Sequence, residues 1–114
     1  MSYDRGLAHR IREVLERRPD VEGWEEREMF GGLAFMVAGH MVVGVVGHEL
    51  MARVGKAAWP VARTEPGARE MTFTGRSMKT MVFVRDAAIG EEAALRSWVE
   101  RCLDHVQTLP PRSV

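Results

Sequence analysis

The sequence predicts an α+β fold: a two-layer α/β sandwich whose antiparallel, meander-containing sheet carries N-terminal, middle and C-terminal helices. Three observations predict it. Residues 29–54 run as apolar segments broken twice by Gly-His, at Gly39-His40 and Gly47-His48. Val, Met and Phe runs separated by glycine-first pairs signal hairpins, and a glycine-first pair suits a type II′ turn. At the two ends, Leu7, Ile11, Val14 and Leu15, and Leu95, Trp98, Val99, Cys102, Leu103 and Val106, recur at helical spacing. The 114 residues make one domain, 1–114, large enough for a self-sufficient core.

In chain order, Asp4 is the N-cap of a first helix that ends near Arg18, because Pro19 disfavours a helical residue before it. Its polar face bears Arg5, His9, Arg10, Arg12, Glu13, Glu16 and Arg17, a basic bias read as a solvated face. Trp24 to Phe30 form a strand leading into Gly31-Gly32, two glycines that supply the positive φ of a tight connection. No Lys-Ser/Thr pair or helix start follows to make them a phosphate loop.

The two Gly-His loops set a register for the meander. Phe35 falls opposite Gly44, Val45 opposite Leu50, and Val43 opposite Ala52. One face then holds Ala34, Met36, Ala38, Met41, Val43, Val45, Leu50, Ala52 and Val54, the expected core. The other holds Leu33, Phe35, Val37, Val42, Gly44, Val46, Glu49, Met51 and Arg53. That second face is too apolar to be simply solvated, so it is expected to meet a helix, a second subunit or a partner.

Beyond Val54, a short helix precedes Pro66-Gly67 and must hold Pro60 in its first turn. Strands follow at Glu70 to Phe73 and Thr80 to Arg85, joined by a connection of residues 74–79. The last helix starts near Gly90, has Glu91 and Glu92 near the positive end of its dipole, and stops before Pro110-Pro111. Cys102 lies on its apolar stripe and reads as a buried small hydrophobe.

Sixteen basic and sixteen acidic side chains give a formal net charge of zero, which argues against direct nucleic-acid binding through a bulk positive field. One cysteine excludes an internal disulfide, and no Cys/His spacing resembles a zinc site. Neither a signal segment nor a membrane-length apolar stretch is present, so a cytoplasmic protein with no membrane association is expected. No paired acids, nucleophile-base set or metal cluster stands out, and His9, His40, His48 and His105 have no spacing that requires convergence. Catalytic residues, cofactors and metals are therefore expected to be none.

The most suggestive polar cluster is Arg76, Ser77 and Lys79 after Gly75, with Arg53 as a neighbour on the second face. Backbone N–H groups and cations there could hold a phosphate or carboxylate; a plain hairpin connection is the alternative. The chain also has eight methionines. Thioethers fill irregular cores and suit adaptable binding surfaces, and those on the second face, especially Met51, are the candidates for partner contact.

The runs from Arg27 through Met29-Phe30-Gly31-Gly32 to Met36, Leu50 to Gly55, Phe73 to Lys79 and Val82-Phe83-Val84 resemble the N-terminal domain of the TfoX/Sxy competence regulators. The resemblance extends from Tyr3 to about Leu109. It implies a two-layer α/β domain and an association with transcriptional regulation of DNA uptake, where full-length relatives act alongside the cyclic-AMP receptor protein. With Val114 as the last residue, the chain is expected to lack the second, C-terminal domain of the full-length regulators, and Glu28 stands where a basic residue often precedes Met-Phe-Gly-Gly. The combined expectation is a non-enzymatic regulatory or protein-interaction module. Phe35, Met51, Arg53, Arg76, Ser77 and Lys79 would be its contact residues, and a homodimer or a transcription-machinery protein its partner. The alternative is a small-ligand or anion-binding protein, even an unrecognised enzyme, using Arg53, Arg76 and Lys79.

Overall fold

In a computed structural model of the chain, which describes residues 3–21, 23–29, 31–73 and 75–111 apart from the side chains of Phe73 and Ser77, helix α1 spans Arg5–Glu16. Asp4 caps it as its chemistry predicts: Oδ1 accepts the N–H groups of Gly6 at 2.9 Å and Leu7 at 3.1 Å. The neighbouring Asp4 N–H donates to Gly47 O at 2.7 Å, which fastens the helix start to a sheet turn.

Strands β1 (Glu25–Met29), β2 (Gly32–Val37), β3 (His40–Val46) and β4 (Glu49–Arg53) form an antiparallel meander. Helix α2 (Trp59–Ala62) follows with Pro60 in its first turn, then β5 (Ala68–Phe73), β6 (Arg76–Val84), a 3-10 turn at Asp86–Ala88 and helix α3 (Glu92–Gln107). The six strands make one sheet in the order β1-β2-β3-β4-β6-β5. The expected α+β architecture stands, with three helices in the predicted places.

Two local expectations are corrected. The β2–β3 loop is Ala38-Gly39, not Gly39-His40: Val37 pairs with His40, and φ is positive at both loop residues, 53° and 82°. That is the type I′ pattern, whose twist suits a hairpin. The second correction follows from the first. A bulge between Phe35 and Met36 leaves Met36 opposite Met41 but Phe35 opposite Val43 and Ala34 opposite Gly44. Since sheet faces alternate with every residue, the one-residue shift turns Phe35 to the face opposite the one predicted for it. The β3–β4 register is as predicted, with Val45 opposite Leu50 and Val43 opposite Ala52 across a Gly47-His48 loop whose Gly47 has φ 58°.

All three helices contribute to a single core on one face. Leu7, Ile11 and Leu15 of α1, Ala62 of α2, and Leu95, Val99 and Leu103 of α3 pack there with Leu33, Phe35, Val43, Val45, Leu50, Ala52, Val82 and Val84. Arg10 Nη2 donates to Ile89 O at 2.7 Å, tying α1 to the turn that leads into α3. Cys102 lies in this core as expected, and burial pushes its thiol up to about 12 against the opposing effect of the Arg101 and Arg53 charges and an Arg53 backbone hydrogen bond. At that value the thiol stays neutral and unreactive near pH 7.

The segment from residue 74 to Lys79, expected as a connecting loop, is mostly strand. Phe73 pairs with Arg76, and Gly75, the residue before Arg76, has φ 79°. The β5–β6 register then slips between Glu70 and Thr72, where Met71 alone answers four residues of β6. Such an irregularity bends a sheet.

Candidate functional site

The face without helices is made of methionine. Ala34 and Met36 on β2, Met41 on β3, Met51 on β4, Met71 on β5 and Met81 on β6 form a second buried cluster, with Met29, Val46, Met78 and Phe83 packed against it. The alternation that sends Leu50 and Ala52 to the helices sends Met51 and Arg53 here, and the pairs Met51 with Phe83 and Arg53 with Met81 carry the same face across to β6. Met51 lies over Gly44: a Cβ added to that glycine would be 2.5 Å from the Met51 methyl. The residue covering the glycine is thus Met51, not Phe35.

Within this cluster is a cavity of about 200 Å³, lined by Met29, Met36, Met41, Met71, Met78 and Met81 together with Gly39 and Arg53. Met29 belongs to one edge strand and Met71 to the other. In a flat six-stranded sheet those edges would lie about 24 Å apart at the usual strand spacing. Sharing a small cavity requires the sheet to curl, and the two register shifts supply the bends. Met36, Met41, Met71 and Met81 form the buried walls, while Met29 and Met78 are half-buried at the rim.

Arg53 brings the positive charge to this lining. Its field reaches through the sheet: the His105 imidazole on α3 is held below its ordinary value first by burial, then by Arg53 and His40. The effect of burial and of these cations is to favour the neutral form of the His105 imidazole.

Of the residues singled out from sequence, Arg53 lines the cavity, and Met51 is fully buried in the same methionine cluster but outside the cavity lining. Phe35 is also 0% exposed, but among the helix-side residues, so it is not a contact residue of this face. Gly75, Arg76 and Lys79 are exposed, and the residue of that segment that lines the cavity with Arg53 is Met78 rather than either cation. Ser77 pairs with Thr72 in the strand, and its side chain lies outside the described residues.

In the Met-Phe-Gly-Gly motif, Met29 pairs with Gly32, Gly31 takes φ 74°, and Phe30 lies outside the described residues. Gly32 is fixed by contact: a Cβ there would sit 2.0 Å from Val45 O. Sequence reading missed Met36, Met41, Met71, Met78 and Met81 as a common lining. The abundance of methionine was the signal, but the bulge and the β6 slip that gather them leave no mark in the residue pattern.

A second, more open depression of about 410 Å³ lies beside α2 and α3, lined by Val54, Ala58, Val61, Ala62, Glu65, Arg101, Asp104 and His105. Within it Arg101 Nη1 donates to Glu65 Oε2 at 2.8 Å, and Asp104 pairs with Arg18 outside the lining. Among the described residues, no group of three or more His, Cys, Asp or Glu could hold a metal ion, and no helix is long and apolar enough to cross a membrane.

The family model described as TfoX N-terminal domain matches residues 16–106 of the 114. The chain belongs to the TfoX N-terminal domain family. That match covers the motif at Met29–Gly32, every strand and nearly all of α3, so the methionine-lined face is part of the family domain itself. Neither the curated proteins nor the solved structures compared with the chain contain a match.

Proposed function

We propose that this TfoX N-terminal-type domain is a non-enzymatic regulatory module that works by binding another protein, with the methionine-lined cavity as its contact site. The observation that supports the reading is that cavity: six thioethers and Arg53 gathered at the surface of the one sheet face that no helix covers. Unbranched thioethers adjust to the shape of what they meet, which suits a protein surface better than it suits a reaction that needs fixed geometry. A transcription-machinery protein is the partner the family resemblance suggests, and a second copy of the chain is the other.

Affinity capture from the host lysate with nuclease treatment, read by mass spectrometry and paired with light scattering on the purified protein, tests the reading. The control is Met78→Glu, which puts a charge at the half-buried rim. The reading expects a protein captured by the wild type and lost with the folded variant; equal capture by both removes the cavity from the contact.

A small-ligand or anion-binding role through Arg53, Arg76 and Lys79 is the second reading, and the position of Arg53 in the cavity favours it. It expects a thermal shift with phosphate-bearing compounds that Arg76→Ala abolishes.

A further inference from the structure

Methionine is segregated in this fold. Every methionine beyond Met1 lies in or against the helix-free cluster, while the helix-side core is built of Leu, Val, Ile, Ala and aromatic residues with Cys102 and holds no methionine. If thioethers served only to fill gaps, both cores would use them, since both pack against the same sheet. The cavity concentrates them further. Met36, Met41, Met71 and Met81 form its walls at 6%, 6%, 3% and 2% exposure, and Met29 and Met78 stand half-buried at its rim.

Two kinds of occupant make use of many thioethers in one place. An adaptable protein surface needs them exposed, whereas a soft metal ion needs their sulfur lone pairs turned on one point. Burial separates the two. A partner protein reaches Met29 and Met78, but the walls behind them are open only to something the size of an ion or a small molecule. Thioethers are soft, neutral donors, suited to copper(I) and not to the hard cations that carboxylates and carbonyls hold. Met36 and Met41 face each other across β2 and β3, and unbranched side chains with three rotatable bonds can draw several sulfurs onto one ion in a space of about 200 Å³. Arg53 has an interaction of its own and, lacking an acceptor lone pair, is no ligand.

We propose that the methionine cavity is a binding site for a soft monovalent metal ion of the copper(I) type, held by the thioether sulfurs of Met36, Met41, Met71 and Met81, with Met29 and Met78 as the first sulfurs an entering ion meets. A search for His and Cys spacing passes over such a site, because its ligands are neither. The site goes beyond the protein-contact reading and does not depend on it: a partner can dock at the rim whether or not an ion sits behind it.

The test uses the full chain with carbon-13-labelled methionine methyl groups in chloride-free buffer, so that each wall residue reports directly by NMR. It is titrated with silver(I), a redox-inert stand-in for copper(I), and separately with zinc(II). Silver(I) is expected to bind at a single equivalent and to shift the methyls of Met36, Met41, Met71 and Met81, while zinc(II) leaves them in place. Copper(I), added without oxygen in competition with bicinchoninate, should be taken up to the same stoichiometry. Met41→Leu and Met71→Leu keep the volume and remove the sulfur, so each should fold and weaken uptake by roughly tenfold or more, and the two together should abolish it. Cys102→Ala should leave uptake unchanged. Because thioethers carry no titrating proton, uptake should be the same at about pH 7.5 and about pH 5.5.

The absence of silver(I) uptake overturns the proposal, as does a shift confined to Met29 and Met78, which marks adventitious binding at the surface. Uptake lost at the lower pH moves the ion to His40 and His105, and uptake lost with Cys102→Ala moves it to the thiol; either result overturns the proposal. So does full uptake by the Met41→Leu, Met71→Leu double variant. Should the variants not fold, the wild-type methyl shifts and their indifference to pH decide alone. If silver(I) moves no wall methyl while lysate capture succeeds and is lost with Met78→Glu, the protein-contact reading stands and the ion site falls alone.

Discussion

On the helix-covered face of the sheet the fully buried side chains are Phe35, Val43, Val45, Leu50, Val82 and Val84, whereas on the helix-free face the buried positions are held by Met36, Met41, Met51, Met71 and Met81 with Ala34. Branched and aromatic groups have few rotamers, so they interlock with the ridges of α1 and α3 and define one packing. Thioethers have three rotatable bonds and fill whatever space remains. The first face has a rigid cover from its own chain. The second covers itself with methionine by curling, and retains a cavity among the thioethers. The contrast teaches that burial in this sheet serves two purposes: specifying the fold on one side, and keeping an adjustable surface on the other.

The largest expected effect would break that comparison if it failed. Phe35→Ala should cost about 4 kcal/mol in urea unfolding, because a fully buried ring leaves a cavity among residues that cannot collapse into it. The comparable truncation on the other face, Met71→Ala, should cost about 2 kcal/mol, because neighbouring thioethers can move into the space it leaves. Equal costs would mean that the methionine face is as rigidly packed as the helix face. For the same reason a charge placed at Phe35 would unfold the domain rather than report on association.

Gly32→Ala comes next, at about 3 kcal/mol in the same assay, since the new methyl would meet the Val45 carbonyl, a backbone atom that cannot step aside without disturbing β3. A cost below about 1 kcal/mol would show that the β2–β3 pairing gives way more readily than the close contact implies.

Ala38→Asn should go the other way and raise stability by somewhat under about 1 kcal/mol. Ala38 holds φ 53° in the I′ turn, a conformation Asn accepts with less strain, and Asn-Gly is the preferred pair for that turn. A loss of stability would return the turn to Gly39-His40 and Phe35 to the methionine face.

The smallest effect concerns the charge behind the cavity. With the His105 value depressed from 6.5 by burial first and then by Arg53 and His40, the unfolded chain takes up the proton more readily than the folded one. Stability is therefore present above about pH 6.5 and declines as pH falls below it. His105→Gln should flatten the change in urea midpoint between about pH 7.5 and about pH 5.5, and an unchanged slope would remove His105 as its source.

Much of the fold was legible because its signals are local. Asp4 as a cap, Pro60 in a first turn, the stripe from Leu95 to Val106 and the register across Gly47-His48 all depend on residues close in sequence. The candidate site was less legible. Arg53 and Met51 were placed on their face correctly, because the β3–β4 turn fixed their alternation. Phe35 was not, because both of its possible faces are apolar and hydrophobicity does not distinguish them. Arg76 and Lys79 drew attention as a basic pair, yet the bend of β6 brings Met78 and Met81 to the cavity instead.

The sequence by itself determined the order and type of the helices and strands, the Gly47-His48 turn and the family, since each is written in short-range pattern. Only the tertiary structure decided which apolar face of β2 the helices cover and that the methionines of β1, β2, β3, β5 and β6 share one cavity with Arg53. The reason is physical: a bulge of one residue exchanges the faces of a strand, and a slip at one hairpin curls a whole sheet, while the alternation of apolar residues reads the same before and after.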